Sequence, residues 1–409
     1  MEDTSGHESL ADRLRPSSAE WGTTPPATAA ELAGAFERDT ALTVGAEEEL
    51  MLVDPETFAL VPAIETVLGR AGDDGRFTRE IRASQVEIVT PVAGNAQALG
   101  IALAAARLDL ARHAGPEASL LGSGTHPWDE NWGALAEGER YSRLAEEFPW
   151  ATAGSIPCGL HIHVGIRGAE RALAVYNALR GYLPELSALA ANSPFLAGLD
   201  TGLASARRTL NDAFHRTGIP PAFDDWDAFT SFVRWGQRGG VFPDAQHLWW
   251  DLRPHPSFGT LELRVADAQT RVQDVVSLVA VYQSLVAYLC DRLDAEGSLE
   301  VLPEERIAEN AYRAVRYGVR GWMVDPITGE RETTRSRITR LLDRLEAGAE
   351  RLGNASALLE ARSLVADNGA DRQRYLAARS PEGDGLRNLA SWLSQETLTS
   401  AEVLLDRHL

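Results

Sequence analysis

The sequence predicts an α+β domain organised around a mainly antiparallel sheet. Short stretches that alternate apolar and polar residues lie scattered among helical segments, without the regular spacing of βαβ units. From about residue 303 onward, the periodicity is almost wholly helical. A chain of 409 residues is long enough to bury a large core, and its sequence shows neither an internal repeat nor an interdomain linker.

The individual elements are predicted from local signals along the chain. Residues 1–40 are expected to form an N-terminal arm, poorly ordered to about residue 27 and ending in a short helix. Residues 41–409 are expected to form one domain, helical from about residue 300. Alternation and turn residues predict strands at 41–54, 84–91, 119–127, 159–166 and 260–267. Periodicity and capping residues predict helices at 95–115, 169–191, 225–236 and 272–297.

Composition excludes several classes of function. The formal net charge of −20 argues against nucleic acid or an anionic membrane as a partner. All 39 basic residues are arginine, so Schiff-base, Walker A and kinase-strand lysines are excluded. Cys158 and Cys290 are far apart, as is typical of reduced thiols in a cytoplasmic protein. We expect cytoplasmic localisation, because no signal peptide and no apolar run of roughly 20 residues is evident.

Four predicted strands each have one apolar face and one face of ionisable residues. In CGLHIHVGI (158–166), Leu160, Ile162 and Val164 share one face, whereas His161 and His163 share the other. The same alternation separates core residues from charged residues in the other three strands, and the charged set is Glu47, Glu49, Glu87, Glu262 and Arg264. Glu48 is an exception, because it falls on the apolar face of its strand.

A solvent-exposed polar face is ordinary in an antiparallel sheet, and it is sufficient to explain the polar residues of any one strand. Four strands with Glu and His concentrated on one face are better explained by divalent cations that compensate the carboxylates. Ligation mainly by Glu oxygens favours Mg²⁺ or Mn²⁺ over Zn²⁺. An arginine on the same face suggests bound phosphate, so the residues alone predict a magnesium-dependent enzyme of phosphoryl chemistry.

A set of motifs extends this interpretation to a family. The motifs are TVGAEEELMLVDP, GSGTHPW, ERY, GLHIHVGI, LAANSPFLAGLDTGLASAR, WWDLRPHPSFGTLELRVADAQT and RYGVRGWMVDPITGE. In this order, over roughly residues 40–345, the sequence resembles the bacterial carboxylate–amine ligases, also called type 2 glutamate–cysteine ligases. The resemblance implies about six antiparallel strands in a funnel-like active site related to the glutamine synthetase fold, with ATP and more than one Mg²⁺.

The resemblance also implies roles for individual residues. Arg264 would face the transferring phosphoryl group as a catalytic residue together with Glu262, and Arg264 and His163 would lie beside the nucleotide. The implied metal ligands are Glu47, Glu49, Glu80, Glu87, His161 and Glu262. The candidate substrate anchors are Arg140, Tyr141, Arg207 and Arg253, although each arginine is as readily explained by a surface ion pair.

The implied reaction is ATP-dependent amide synthesis from two small molecules. A carboxylate attacks the γ-phosphoryl group of ATP, and an amine then displaces phosphate from the acyl phosphate. Glutamate and cysteine are the leading specific pair, and a homodimer is common among such ligases. Two alternatives remain at this point: a metal-dependent amide hydrolase that uses the His161-x-His163 pair, and a nucleotide-binding protein without ligase turnover.

Overall fold

The computed structural model describes residues 26–129, 131, 133–154, 157–379 and 384–408. Most of the predicted N-terminal arm, residues 1–25, lies outside the described residues. The short helix that follows begins at Ala29, and the side chain of Thr28 caps it in a reciprocal capping box with Glu31. Leu32 and Phe36 from this segment are buried in the main core, so the segment packs onto the domain.

In the described part of the chain, seven strands form one antiparallel sheet. Its order is β2–β3–β1–β5–β9–β8, with β4 paired to the end of β1. Four further strands among the described residues form two small hairpins. The strands are β1 (Val44–Val53), β2 (Phe77–Arg79), β3 (Gln85–Val89), β4 (Ser119–Leu121), β5 (Gly159–Gly165), β6 (Phe195–Leu196), β7 (Leu199–Asp200), β8 (Leu252–His255), β9 (Thr260–Asp267), β10 (Trp322–Val324) and β11 (Arg331–Thr333).

Helices cover the apolar face of the sheet and form the C-terminal part of the chain. They are α1 (Ala29–Ala33), α2 (Ile64–Ala71), α3 (Ala96–Ala114), α4 (Glu139–Glu147), α5 (Pro149–Ala153), α6 (Ala169–Leu179), α7 (Leu183–Ala190), α8 (Ala206–Asn211), α9 (Trp226–Arg238), α10 (Val272–Glu296), α11 (Glu304–Tyr317), α12 (Thr334–Arg351), α13 (Ala355–Ala366), α14 (Gly369–Arg379) and α15 (Gly385–Asp406). Short 3₁₀ turns lie at Gly34–Glu37, Arg180–Tyr182, Ala245–His247 and Gly318–Arg320.

The long helix α10 is the centre of the helical layer. Among the described residues, it alone is long and apolar enough to span a membrane by length and composition. However, 89% of its most apolar 18-residue window is buried inside the protein. This burial is the property of a core helix, because a helix that is hydrophobic all round must be covered by protein or by lipid.

The predicted fold class is confirmed, and the differences concern short elements. The sequence did not predict β2, β8 or the β10–β11 hairpin, and the strand expected at 119–127 ends at Leu121. β8 was missed because Pro254 interrupts its pattern, which is tolerated since β8 is an edge strand. The helix expected at 169–191 is interrupted by a 3₁₀ turn just before Pro184, which lies at the start of α7.

Glu48 is explained by an arginine on the covering helix. Its carboxylate is fully buried and accepts hydrogen bonds from Nε and Nη2 of Arg107 at 2.8 and 2.6 Å. The remaining donors of Arg107 bond the backbone carbonyls of Gln269, Thr270 and Thr397. This bidentate pair satisfies a charge that would otherwise be costly in the core, and it ties β1 to α3 and to the loop after β9.

Candidate functional site

A cleft of about 260 Å³ opens on the face of the sheet that carries the ionisable residues. It is walled by the central strands, by α4 and by the segments around residues 207–217 and 246–251. Predicted site residues that line it are Glu47, Glu49, Glu80, Glu87, His161, Arg264, Arg140, Tyr141, Arg207 and Arg253. Glu262 and His163 are almost fully buried and lie directly behind this lining.

The first group of potential metal ligands comes from three adjacent strands. Ligand atoms of Glu47, His163 and Glu262 all lie within 4.8 Å of one another. Strand register produces this group, because His163 of β5 pairs directly with Glu262 of β9 and diagonally faces Glu47 of β1. The Nε2 atom of His163 lies 3.5 Å from Glu47 and 4.0 Å from Glu262.

The second group consists of carboxylates alone. Glu49 and Glu87 are direct cross-strand partners on β1 and β3, and Glu80 reaches the same point from the loop after β2. Ligand atoms of the three residues lie within 4.8 Å of one another. Three carboxylates at this spacing repel one another unless protons or a cation compensate them.

The two groups differ in their electrostatics. Burial raises the pKa of Glu87 well above its ordinary value, and the charges of Glu80, Glu47 and Glu49 raise it further. Burial also raises the pKa values of Glu49 and Glu80. The second group is therefore poor in compensating positive charge.

The first group has its positive charge within the protein. Burial alone would raise the pKa of Glu262, but Arg253 and Arg264 hold it below its ordinary value. Burial opposes ionisation of Glu47 as well, yet hydrogen bonds and charge from His161 and His163 lower its pKa.

His161 lies between the two groups. Its Nδ1 is 3.3 Å from Glu47 and its Nε2 is 3.6 Å from Glu49. The resemblance placed His163 beside the nucleotide, whereas the structure places it with the carboxylates of the first group. His161 lies between the first group and the second group. Among the described residues, the buried Nε2 atoms of both histidines have no hydrogen-bond partner, as expected of atoms available to a ligand.

Two of the predicted arginines are committed to Glu262. Nε of Arg253 and Nη1 of Arg264 both donate to its carboxylate, the latter at 2.6 Å. Arg253 also donates to the carbonyl oxygens of Gln246 and Leu248, so its guanidinium is fixed inside the protein. Arg264 lines the cleft as well, and its other donors can face a bound anion.

Arg207 is the best candidate for a substrate anchor. It is only 3% exposed, and its Nη2 donates to the Arg264 carbonyl at 3.2 Å. Within the described part of the chain, its Nε and Nη1 have no hydrogen-bond partner. Its backbone is held through Ser193 and Asp267, a buried carboxylate at the end of β9. A buried guanidinium that lines a cleft and has two unused donor nitrogens is suited to bind a carboxylate.

Arg140 and Tyr141 lie on α4 at the edge of the cleft. Arg140 is exposed and acts electrostatically on Glu80. The hydroxyl of Tyr141 donates to the Arg79 carbonyl at 2.6 Å, so it has a structural partner. The cleft also includes His255, Phe258, Phe214 and Trp249, which the sequence did not single out as functional because aromatic residues usually indicate packing.

The chain matches the model of glutamate–cysteine ligase family 2 over residues 43–391. The chain belongs to this family. A Rubrobacter xylanophilus relative with the provisional name glutamate–cysteine ligase 2-3 is 37% identical over 366 residues, covering 87% of this chain and 97% of the relative. A Sorangium cellulosum relative with a similar provisional name is 35% identical over 352 residues, with 84% and 93% covered. Membership confirms the predicted family and the class of ATP-dependent carboxylate–amine ligase.

Two solved structures share the fold. The glutamate–cysteine ligase of Francisella tularensis, in complex with AMP, has a TM-score of 0.65 at 14% identity, covering 89% of this chain and 92% of that protein. A bifunctional glutathione synthetase of Pasteurella multocida has a TM-score of 0.62 at 13% identity, with 91% and 54% covered. At these identities the likeness concerns the fold.

Proposed function

We propose that this member of glutamate–cysteine ligase family 2 joins the γ-carboxylate of glutamate to the amine of cysteine in the cytoplasm, with ATP as the energy source. The observation that carries the proposal is that two ligand groups, Arg264 and Arg207 meet at one cleft, and that Nε and Nη1 of Arg207 have no hydrogen-bond partner among the described residues. The family membership supports the reaction type, and the cleft supports the roles of the residues.

The donor sets fit two Mg²⁺ ions, with Mn²⁺ as an alternative. The all-carboxylate group of Glu49, Glu80 and Glu87 suits a hard cation that prefers oxygen ligands. The group of Glu47, His163 and Glu262 adds one imidazole, which Mn²⁺ and Mg²⁺ both tolerate. Bound divalent cations would neutralise the phosphate oxygens of ATP and so lower the barrier to phosphoryl transfer.

The residues of the chain then have distinct tasks. In the first step, the substrate carboxylate attacks the γ-phosphorus of ATP, the bond to the β–γ bridging oxygen breaks, and ADP leaves. Arg264 donates to the γ-phosphoryl oxygens, and Glu262 holds Arg264 in place from behind. Arg207 binds the α-carboxylate of glutamate, so the γ-carboxylate is presented to the phosphate.

In the second step, the amine attacks the acyl carbon, and phosphate leaves as the amide bond forms. The ammonium proton must be removed before or during this attack. This proton passes to water, because the carboxylates of both ligand groups are assigned to the cations. Arg140 lies at the edge of the cleft and acts electrostatically on Glu80. Arg140 is suited to bind the carboxylate of the incoming amino acid.

The test is phosphate release from ATP–Mg²⁺, screened over pairs of carboxylates and amines. We expect glutamate and cysteine to give the signal, and Arg207→Ala to raise the KM for glutamate at least tenfold with the KM for ATP little changed. Arg351→Ala is the matched control, because Arg351 forms an exposed ion pair with Asp291 far from the cleft residues in sequence. An unchanged KM for glutamate in Arg207→Ala would refute the role of Arg207, and turnover without ATP would refute the ligase.

A further inference from the structure

Phe258 is an exposed aromatic residue at the cleft. It lies in the tight turn between β8 and β9 and is 52% exposed. Single exposed apolar side chains are common on protein surfaces and need no explanation by themselves. Of the large apolar side chains that are exposed in the described part of the chain, however, Phe258 alone lines this cleft.

The ring of Phe258 is stacked on the ring of His255. Their centroids are 4.3 Å apart and their planes differ by only 6°. His255 is almost fully buried beneath Phe258, and within the described residues its Nδ1 has no hydrogen-bond partner. The pair therefore presents a flat aromatic surface whose outer ring is accessible from the cleft.

The turn that carries Phe258 is held rigidly by its surroundings. The amides of Phe258 and Gly259 both donate to the His255 carbonyl, at 3.2 and 2.9 Å. Gly259 has φ +71°, and a Cβ there would lie 2.3 Å from the Ala35 carbonyl oxygen. Its own carbonyl accepts a hydrogen bond from Ile166. The aromatic surface is thus preorganised, which lowers the entropic cost of binding.

The position of this surface relative to the first ligand group indicates its ligand. His163 directs Nε2 towards Glu47 and Glu262, while its ring lies 5.6 Å from Phe258 and 5.5 Å from His255. Cation-bound phosphates at the carboxylates would therefore be separated from the aromatic pair by a single side chain. A nucleotide fits this arrangement, because one ribose separates its base from its phosphates.

From this arrangement we infer that Phe258, supported by His255, is the surface on which the purine base of the nucleotide stacks. The inference rests on the proposed function, because it takes the phosphates to lie at the first ligand group. Base–aromatic stacking tolerates any flat base, because every base has a π-face. Phe258 is in this sense a binding residue, and it determines the preference for a base-bearing phosphate donor over a bare polyphosphate.

The experiment compares two ligands by isothermal titration calorimetry with Mg²⁺ and without the amine. ATP carries the base, whereas inorganic tripolyphosphate carries only the phosphates. We expect Phe258→Ala to raise the Kd of ATP about tenfold and to leave the Kd of tripolyphosphate unchanged. Phe258→Tyr retains the ring face and should bind ATP like the wild type. Trp235→Ala is the matched control, because Trp235 is 61% exposed and stacks on Phe232 outside the cleft.

Each outcome decides between specific ideas. Equal weakening of ATP and tripolyphosphate by Phe258→Ala would show damage to the phosphate site and would overturn the inference, as would unchanged ATP affinity. Both results would leave the proposed ligase function standing. A wild-type protein that binds tripolyphosphate as tightly as ATP would also overturn the role of Phe258, whereas failure of the wild type to bind ATP would refute the proposed function itself.

Discussion

Glu87 faces Glu49 on the neighbouring strand, with Glu80 beside both, and repulsion among three carboxylates opposes folding unless protons or a cation compensate it. The raised pKa of Glu87 expresses the same cost, because a proton must replace the missing positive charge. Residues selected for stability alone would not be arranged in this way. Such a conflict between local electrostatics and stability is common at functional sites.

Glu87→Gln separates these two effects. At pH 7.5 in EDTA, we expect this variant to melt a few degrees above the wild type, because glutamine needs neither a proton nor a cation to remain uncharged beside Glu49 and Glu80. We expect its affinity for Mn²⁺ to fall at least tenfold, because a ligand charge is lost. Differential scanning calorimetry and metal titration measure the two quantities. A variant that is less stable than the wild type in EDTA would show that the carboxylates are compensated by the protein.

Glu262 is a contrasting residue, which lies directly behind the cleft lining. It is completely buried between Arg253 and Arg264, so its replacement by Gln would leave two guanidiniums without their anion. Breaking a buried pair in this way typically costs about 3–5 kcal/mol. Loss of activity in Glu262→Gln would therefore combine effects on folding and on chemistry, which makes Glu87 the more informative position.

At the scale of elements, strand periodicity predicted the ionisable face well. The alternation in β1, β3, β5 and β9 requires only the two-residue repeat, which is present in the sequence itself. The partners of those residues were harder to predict. Arg107 bonds Glu48 from a helix whose position depends on the packing of the whole core. Arg253 bonds Glu262 from β8, a strand that was not predicted because a proline interrupts its alternation. Contacts between segments that are distant in sequence can be predicted only when the fold is known, and a single sequence does not give the fold.

Gly159, at the start of β5, links this strand to the substrate anchor. A Cβ at this position would lie 2.2 Å from Nη2 of Arg207. The guanidinium can occupy its position only because residue 159 is a glycine. We expect Gly159→Ala to displace Arg207 and raise the KM for the carboxylate substrate about tenfold, with the KM for ATP unchanged. Gly45→Ala on the neighbouring strand is the control, because its Cβ would meet nothing within 4 Å. Equal KM values in both variants would contradict the placement of Arg207.

The histidine of the GSGTHPW segment after β4 has a structural role. His126 is buried, its Nε2 contacts the Phe58 carbonyl at 2.9 Å, and its Nδ1 accepts the Asp129 amide at 3.0 Å. Burial lowers its pKa to about 4, so the unfolded state binds a proton more readily between pH 6.5 and 4. Stability is therefore lost as the pH falls through this window, by about 3 kcal/mol at most from this residue.

Urea unfolding at pH 7 and pH 4.5 measures this contribution. We expect His126→Gln to be less stable than the wild type at pH 7 but to lose less stability on acidification. His408→Gln is the control for the substitution itself, because it makes the same change of residue at an exposed position. An identical pH dependence in His126→Gln and the wild type would show that His126 does not titrate differently on folding.

At the scale of the whole molecule, the helical layer and the sheet together define how the cleft responds to cations. The apolar face of the sheet is fixed against α10, so the strands cannot separate to relieve repulsion among the carboxylates on the other face. The net charge of −20 adds a general repulsion of the same sign. Divalent cations should therefore stabilise the entire domain, and the size of this effect should depend on pH.

The direction of that dependence follows from the second ligand group. Glu49, Glu80 and Glu87 have pKa values above 4.5 in the folded protein, so the folded state holds more protons than the unfolded state above pH 4.5. In EDTA, this group lowers the stability progressively as the pH rises through the raised pKa values. Glu47 and Glu262, whose pKa values are lowered, change their contribution only below pH 4.5.

We therefore expect Mg²⁺ to raise the melting temperature more at pH 8 than at pH 5, since protons compete with the cation for the same oxygens. At a concentration of 100 times the Kd, one bound ion contributes about 2.7 kcal/mol. His126 contributes equally to the stability with Mg²⁺ and with EDTA, so its contribution cancels from the difference between the two melting temperatures. Calorimetry with Mg²⁺ and with EDTA at each pH gives the result. A gain in melting temperature that is equal at both pH values would mean that the raised carboxylates of the second group do not bind the cation.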